Sequence, residues 1–184
     1  MQFDESLLEE PWLAPHKPAV STEVLALFDM DFKTDLREEM LDEWDDFYYY
    51  VRRRKDEKAK EILKSKEPFD GKAIMRPCGD KVLHILAELG SVELFEWVTK
   101  EYNVFPFQVN NAMENPLIIA CREGKMEMVQ YIIENYQQHV EFDIDHKNLD
   151  GWTAFMFASV NGYSSIAEYL YKNAGASINI KDKM

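Results

Sequence analysis

Residues 148–183 read N-L-D-G-W-T-A-F-M-F-A-S-V-N-G-Y-S-S-I-A-E-Y-L-Y-K-N-A-G-A-S-I-N-I-K-D-K. The pair Asp150-Gly151 predicts a tight turn, because glycine adopts a positive φ without steric cost. Thr153 predicts the N-cap of a short helix, and Asn161-Gly162 predicts its left-handed end. A second helix is predicted to begin at Ser164 or Ser165. The stretch therefore predicts a turn, two short helices and an exit loop.

Apolar residues recur at helical spacing in both predicted helices. In the first helix the buried face is predicted to consist of Phe155, Phe157 and Ala158. In the second helix, which Gly175 is predicted to end, the inward residues are predicted to be Ile166, Ala167, Leu170 and Tyr171. Two amphipathic helices of this length cannot bury their apolar faces alone, so we expect them to pack against similar neighbours.

The same pattern recurs twice upstream. Residues 79–84 read G-D-K-V-L-H, and residues 115–117 read N-P-L. Lys81, Asn115 and Thr153 occupy equivalent positions, spaced 34 and 38 residues apart. The repeated unit resembles the ankyrin repeat, which has a T-P-L-H motif before its first helix and a period of about 33 residues.

The chain departs from the ankyrin pattern in three ways. Val82 and Ala154 stand where the motif has proline, and the motif histidine occurs only as His84. The resemblance implies that His84 is a structural residue, hydrogen-bonded across neighbouring turns. The second unit carries about five extra residues around 136–141, which predict a longer second helix or a longer loop.

The resemblance implies an all-α fold, an ankyrin-type solenoid of stacked helix-turn-helix repeats with finger loops. It divides the chain into an acidic and apolar extension at 1–33, a divergent capping repeat at 34–75, and three ankyrin repeats at 76–109, 110–147 and 148–183. The helices predicted in the cap run from Thr34 to Val51 and over Asp56–Lys66. Those predicted in the first two repeats are Val82–Leu89, Val92–Thr99, Pro116–Arg122 and Met126–Tyr136.

The acidic residues are concentrated at one end of the chain. The net charge is −13, and residues 1–46 hold 14 acidic and 3 basic side chains, which leaves 20 acidic and 18 basic in the remainder. The extension therefore contributes −11 and the rest −2. This balance argues against nucleic acid as a partner, because phosphate binding needs a basic surface. It is compatible with a basic protein partner or with a solvated acidic face.

The sequence contains no pattern for export or membrane insertion. No apolar run reaches the ~18 residues that span a bilayer, and the acidic N-terminus is unlike a signal peptide or presequence. Two cysteines, Cys78 and Cys121, do not make a disulfide framework. We therefore expect a cytoplasmic protein without direct membrane insertion.

No arrangement of residues predicts catalysis. The four histidines, His16, His84, His139 and His146, do not occur in metal-ligand spacings, and neither cysteine belongs to a C-x-x-C pair. Phosphate-binding glycine loops and nucleophile motifs are also missing. We therefore expect a protein that is not an enzyme and that has no catalytic residues, no metal and no cofactor.

In the ankyrin family, partners commonly lie along the concave side, which the turn tips and first helices form. Mapped onto this chain, the protein-binding residues are expected to be Asp80, Asn111, Glu114, Arg122, Leu149, Asp150, Trp152 and Asn161. Packing against a neighbouring finger is the alternative for Trp152. Phe107 is a further expected contact, with packing between repeats as its alternative. Trp12 and Leu13 are expected to dock either on the repeats or on a partner.

These observations predict a non-catalytic module for protein–protein interaction, which serves as an adaptor or as a subunit of a larger assembly. The partner is expected to be a protein whose identity the sequence does not give. The alternative is a cytosolic ankyrin portion of a longer membrane protein or enzyme. Its basis is the segment Ile180–Met184, which reads as the opening of another turn.

Overall fold

The computed structural model describes residues 44–66 and 69–178. These ranges contain eight α-helices and, apart from an isolated bridge between Ile74 and Lys81, no β-structure. The all-α fold is therefore as predicted for the described ranges.

The helices form four consecutive pairs. They are α1 (Asp45–Arg52) with α2 (Asp56–Ser65), α3 (Val82–Leu89) with α4 (Val92–Glu101), α5 (Pro116–Arg122) with α6 (Met126–Tyr136), and α7 (Ala154–Val160) with α8 (Ser164–Ala174). The first helices α3, α5 and α7 pack in a row, and the second helices α4, α6 and α8 pack beside them. The array is therefore a solenoid in which each pair contacts its neighbours.

The predicted helix bounds agree closely with the structure. Helices α3, α5 and α6 have the predicted ends, whereas α4 continues two residues further, to Glu101. The helix expected from Thr34 corresponds to α1, which begins at Asp45. Residues 34–43 of that prediction lie outside the described residues. Because α6 ends at Tyr136, the extra residues of the second repeat lengthen its loop and not its helix.

The starts of the first helices are fixed by side chains. Asn115 Oδ1 accepts a hydrogen bond from the Ile118 N–H at 2.9 Å, and Thr153 Oγ1 accepts one from the Met156 N–H at 3.3 Å. These are N-caps, as predicted for Thr153. Pro116 occupies the first turn of α5, where its missing N–H is not needed.

The core is a continuous apolar cluster that runs through all four pairs. Ile166, Leu170 and Ala158 are buried as predicted, whereas Phe155 and Phe157 are only partly buried. The prediction that Tyr171 faces inward is wrong, since this residue is 52% exposed. The equivalent Thr99 and Ile133 are 7% and 2% exposed, and each lies in a helix pair that another described pair follows, whereas no described helix pair follows α8.

Candidate protein-binding surface of the finger loops

The loops before α5 and α7 are closed in the same way. Each begins with an asparagine five residues before the N-cap, Asn110 or Asn148. The backbone N–H of Asn110 donates to the Glu114 carbonyl at 3.0 Å, and that of Asn148 donates to the Trp152 carbonyl at 3.0 Å. These loops, 110–114 and 148–152, are called the second and third fingers below, and the loop at 76–80 is the first.

The asparagine side chains brace the tips of these two fingers. Asn110 Oδ1 accepts from the N–H groups of Ala112 and Glu114, both at 3.0 Å. Asn148 Oδ1 accepts from Asp150 at 3.0 Å and from Trp152 at 2.9 Å. Sequence reasoning missed both residues, although an asparagine at the same offset from two N-caps was visible. Short side-chain amides often bond the backbone two residues further on in turns.

Backbone hydrogen bonds also join each finger to the next. The Asn111 N–H donates to the Cys78 carbonyl at 3.0 Å, and the Leu149 N–H donates to the Ala112 carbonyl at 2.9 Å. The donors Asn111 and Leu149 are equivalent residues, and so are the acceptors Cys78 and Ala112, so the fingers form a regular row. The first helices are tied as well, since Asn161 Nδ2 donates to the Arg122 carbonyl at 2.9 Å.

Four of the expected contact residues are exposed on this row or beside it. Asn111, Leu149 and Asp150 lie at the finger tips, and Asn161 lies at the end of α7. Leu149 is 56% exposed although it is a large apolar side chain. The structure therefore brings these residues to the surface in a fixed arrangement.

Asp80 and Glu114, by contrast, are each only 6% exposed. Asp80 Oδ1 accepts from Asn110 Nδ2 at 2.9 Å, which links the first finger to the second. Glu114 Oε2 accepts from Arg122 Nη1 at 2.6 Å. Both carboxylates hold fingers and helices in place. Sequence position alone did not reveal this, because the bonding partners lie 30 and 8 residues away.

The pKa values of this network reflect its pairing. Burial acts to raise the pKa of Asp80, but hydrogen bonds from Asn110 and Cys78 outweigh it, and the pKa lies below its ordinary value. Burial acts to lower the pKa of Arg122, yet the hydrogen bond and charge of Glu114 raise it above its usual range. The charges of Asp80 and Arg122 are therefore engaged within the fold.

The third finger differs in chemistry from the first two. Trp152 occupies the position of Asp80 and Glu114, and Val160 occupies that of Glu88 and Arg122. Trp152 is partly buried, with its ring 5.1 Å from that of Phe157 in its own repeat, whereas Val160 is 68% exposed. At these positions of the fingers and first helices, the residues therefore change from paired charges to apolar groups along the array.

Phe107 lies in a separate aromatic cluster. Its ring stacks on Phe105 at 6.1 Å and lies 4.8 Å from His139, and Tyr136 and Phe142 complete the group. The cluster joins the loop after α4 to the loop after α6, which is packing between repeats, the alternative considered for Phe107. Trp12 and Leu13 lie outside the described residues.

His146 and Cys78 each contact a polar group of the fold. His146 Nε2 lies 2.8 Å from the Met113 carbonyl, and Cys78 Sγ lies 3.1 Å from Asp80 Oδ2. No group of three or more His, Cys, Asp or Glu side chains within 44–66 and 69–178 is arranged to hold a metal ion. None of the helices in those ranges has the length and apolar character of a membrane span.

Stacked helix pairs with a row of finger loops define a helical repeat protein. A family model described as ankyrin repeats, in three copies, matches residues 83–182, and the chain belongs to the ankyrin repeat family. Ankyrin repeats form a module for protein–protein interaction.

Two relatives are similar over part of the chain. Ankyrin repeat and SAM domain-containing protein 6 of Rattus norvegicus is 29% identical over 102 residues, which are 55% of this chain and 11% of that protein. The protein of the same name from Mus musculus is 29% identical over 96 residues, 52% of this chain and 10% of that protein. The matched region therefore spans only about a tenth of the relatives' length.

Proposed function

We propose that this chain is a non-catalytic adaptor, or a subunit of a larger assembly, that binds a protein partner through its finger row. The observation that carries the proposal is the exposed row of Asn111, Leu149 and Asp150, in which backbone hydrogen bonds join successive fingers. A preorganised surface loses little conformational entropy when a partner binds.

The third finger is the proposed centre of the contact. Leu149 in this finger and Val160 at the end of α7 are exposed apolar groups, and Trp152 is partly buried with its ring beside that of Phe157. Apolar and aromatic anchors supply most of the binding energy at interfaces, with polar groups around them. Asn111, Asp150 and Asn161 provide that polar rim.

The other residues that the sequence predicts as protein-binding have different roles in this proposal. Asp80, Glu114 and Arg122 position the finger row from within. Phe107 supports the loop that carries the exposed Phe105, and Trp12 and Leu13 dock either on the repeats or on the partner.

The same proposal assigns a role in partner binding to every segment of the chain. The extension at 1–33, the cap at 34–75 and the three repeats at 76–109, 110–147 and 148–183 act together on a protein partner in the cytoplasm. The acidic balance of the chain disfavours nucleic acid.

A second proposal places this chain in a longer membrane protein or enzyme as its ankyrin portion. The two relatives support its greater length alone, since the matched region makes up 11% and 10% of those proteins. In that case the finger row would bind a partner or another part of the same protein.

Site-specific photo-cross-linking tests the finger row. A benzoylphenylalanine placed at Leu149 or Asn161 of the full chain in its native cells is expected to give one discrete cross-linked protein. Glu101, exposed at the end of α4, is the matched control position and is expected to give none. Equal labelling at Glu101, or no adduct at either finger position, would contradict the proposal.

A further inference from the structure

The turns between the two helices of each pair have one backbone pattern. Their central residues are Arg54-Lys55, Gly90-Ser91, Gly124-Lys125 and Gly162-Tyr163. In every turn the first of these residues donates its N–H to a carbonyl three residues earlier, and the second donates to a carbonyl five residues earlier. The four residue pairs are therefore equivalent, and the first turn has an arginine where the others have glycine. These turns lie at the ends of the first helices that are opposite to the fingers.

Arg54 adopts the left-handed backbone conformation of the equivalent glycines. Its φ is 55°, compared with 70° for Gly90 and 69° for Gly124. This conformation costs a residue with a β-carbon free energy that glycine does not lose. Strained conformations of this kind are concentrated at functional sites. The guanidinium of Arg54 is therefore a candidate functional group.

The side chains of Arg54 and Lys125 both reach Gly90, which lies in the helix pair between theirs. Arg54 Nη1 donates to the Gly90 carbonyl at 3.3 Å. Lys125 covers the α-carbon of the same residue, since a Cβ built on Gly90 would lie 3.1 Å from Lys125 Cδ. The middle turn has no long side chain of its own, because Gly90 is followed by the buried Ser91. A concavity of about 290 Å³ is lined by Arg54, Gly90 and Lys125.

The concavity has an excess of positive charge. No ion pair joins Arg54 or Lys125 to a carboxylate of residues 44–66 and 69–178, and Glu127 is the one acidic residue of the lining. Helix α6 begins at this point, so the positive end of its dipole adds to the potential. Further exposed cations are adjacent to Arg54 in the chain, namely Arg52, Arg53 and Lys55. These charges favour an anionic ligand.

We propose that this concavity binds a phosphorylated serine or threonine of a protein partner. Arg54 uses one N–H for Gly90 and has further donors, and the Lys125 ammonium has three, so together they can bind the oxygens of one phosphoryl group. A phosphate ester carries a charge of about −1.5 to −2 near pH 7, which matches two cations better than a carboxylate does. Leu89 and Met126, which also line the concavity, would contact the carbon atoms of the phosphorylated side chain.

The inference rests on the proposed function only in taking a protein as the source of the phosphate. The concavity and the finger row lie at opposite ends of the first helices, so the two surfaces are separate. A partner could occupy both, or either one alone.

An anionic membrane or a nucleic acid fits this surface less well than a phosphorylated segment does. Both are extended polyanions, and they would approach much of a molecule whose net charge is −13. Exposed carboxylates lie on the same two helix pairs, at Glu57, Glu61 and Glu93. A short peptide interacts mainly with charges within a Debye length, about 8 Å at physiological ionic strength, and it can therefore respond to the cations of this one concavity.

The test is a nuclear magnetic resonance titration of the isotope-labelled full chain at physiological ionic strength. The probe is a heptapeptide of alanine with phosphoserine at its centre, and the matched probe has serine there. The amide resonances of Gly90 and Lys125 are expected to shift saturably with the phosphopeptide, whereas that of Leu149 should not move. Binding of the serine peptide should be at least about tenfold weaker.

Substitutions in the full chain locate the contact. Arg54→Gly removes one cation and introduces the residue of the equivalent turns, so the fold should be retained, which circular dichroism checks. Lys125→Met removes the other cation but keeps a side chain over Gly90. Each variant is expected to weaken phosphopeptide binding at least about fivefold. Lys172→Met removes the same charge from an exposed position of α8 and is the matched control, with binding expected to be unchanged.

Four results would overturn the inference. They are the absence of a saturable shift at Gly90, equal binding of the two peptides, a loss of binding in Lys172→Met as large as that in Arg54→Gly, and adsorption of the chain to phosphatidylserine vesicles that Arg54→Gly abolishes. The last result would make a membrane the ligand.

The finger row and the concavity can fail separately. Leu149→Asp should abolish the cellular cross-link formed from position 161 and should leave the phosphopeptide titration unchanged. A cross-link from the fingers without phosphopeptide binding would retain the proposed function and refute the phosphate site.

Discussion

The Nε2 of His84 lies 3.1 Å from the carbonyl oxygen of Glu114, so one imidazole joins the first repeat to the second. The other ring nitrogen, Nδ1, accepts the Lys81 N–H at 3.2 Å at the start of α3. Since Nδ1 accepts and Nε2 faces a carbonyl, the ring is neutral with its proton on Nε2. The family role expected for His84, a hydrogen bond across neighbouring turns, is what the structure shows.

This arrangement predicts that stability falls in mild acid. Burial lowers the pKa of His84 from 6.5 to about 4. Between these values the unfolded chain binds a proton that the folded chain does not, so the free energy of unfolding decreases as the pH falls from about 6.5 to about 4. The expected loss is on the order of 3 kcal/mol. Urea unfolding at pH 7.5, 6, 5 and 4 measures it.

His84→Gln is the control for that measurement. An amide does not titrate, so the variant should be less stable at pH 7.5 but should lose less stability on going to pH 4. The depressed pKa of Asp80 acts at lower pH, since its stabilisation is lost only as the carboxyl is protonated below its ordinary pKa of 3.8. A pH dependence of the same size in His84→Gln would show that other groups cause it.

The pair Arg122 and Glu114 should contribute more to stability than a surface ion pair does. Arg122→Met leaves the carboxylate of Glu114 buried without its cation, and we expect the free energy of unfolding to drop by about 1–3 kcal/mol. Lys172→Met removes the partner of Glu168 on α8, where both side chains are 62% exposed, and should leave the unfolding midpoint unchanged. Chemical denaturation of the two variants compares them, and equal midpoints would contradict the assignment.

The repeats could be predicted from the sequence, but the burial of individual polar residues could not. Helix bounds followed from local features such as Thr153 and Pro116, which act within one turn of the chain. Asp80 and Glu114 were expected at the surface because they stand beside finger tips, and their burial depends on Asn110 and Arg122. The spacing of apolar residues in the last helix predicts an inward Tyr171, but Tyr171 is exposed, whereas its equivalents Thr99 and Ile133 are buried in pairs that another described pair follows.

The finger asparagines, Asn110 and Asn148, should hold the finger row in a single conformation. Asn148→Ala removes the acceptor for two N–H groups, of Asp150 and Trp152, and should destabilise the third finger by about 1–2 kcal/mol. Hydrogen exchange at these two amides should accelerate, and partner cross-linking through Leu149 should decrease. Asn173→Ala, at an exposed asparagine of α8, is the matched control. Unchanged exchange in Asn148→Ala would mean that the backbone bonds alone hold the finger.

Alanine substitutions at two equivalent glycines should distinguish the free-energy cost of a strained backbone from the cost of close packing between repeats. Gly124 and Gly162 have φ of 69° and 77°, so an alanine at either site incurs a similar backbone cost of about 1–2 kcal/mol. Only at Gly124 would the new Cβ also meet a neighbour, 2.6 Å from Tyr163. Gly124→Ala should therefore be the more destabilising by about 1–3 kcal/mol, the usual cost of overpacking. Urea unfolding of the two variants measures the difference.

The double variant Gly124→Ala/Tyr163→Ala identifies the source of that difference. If the Tyr163 ring is the obstacle, its removal should make the cost of Gly124→Ala equal to that of Gly162→Ala, which a double-mutant cycle quantifies. Equal costs of the two single variants would contradict close packing at Gly124.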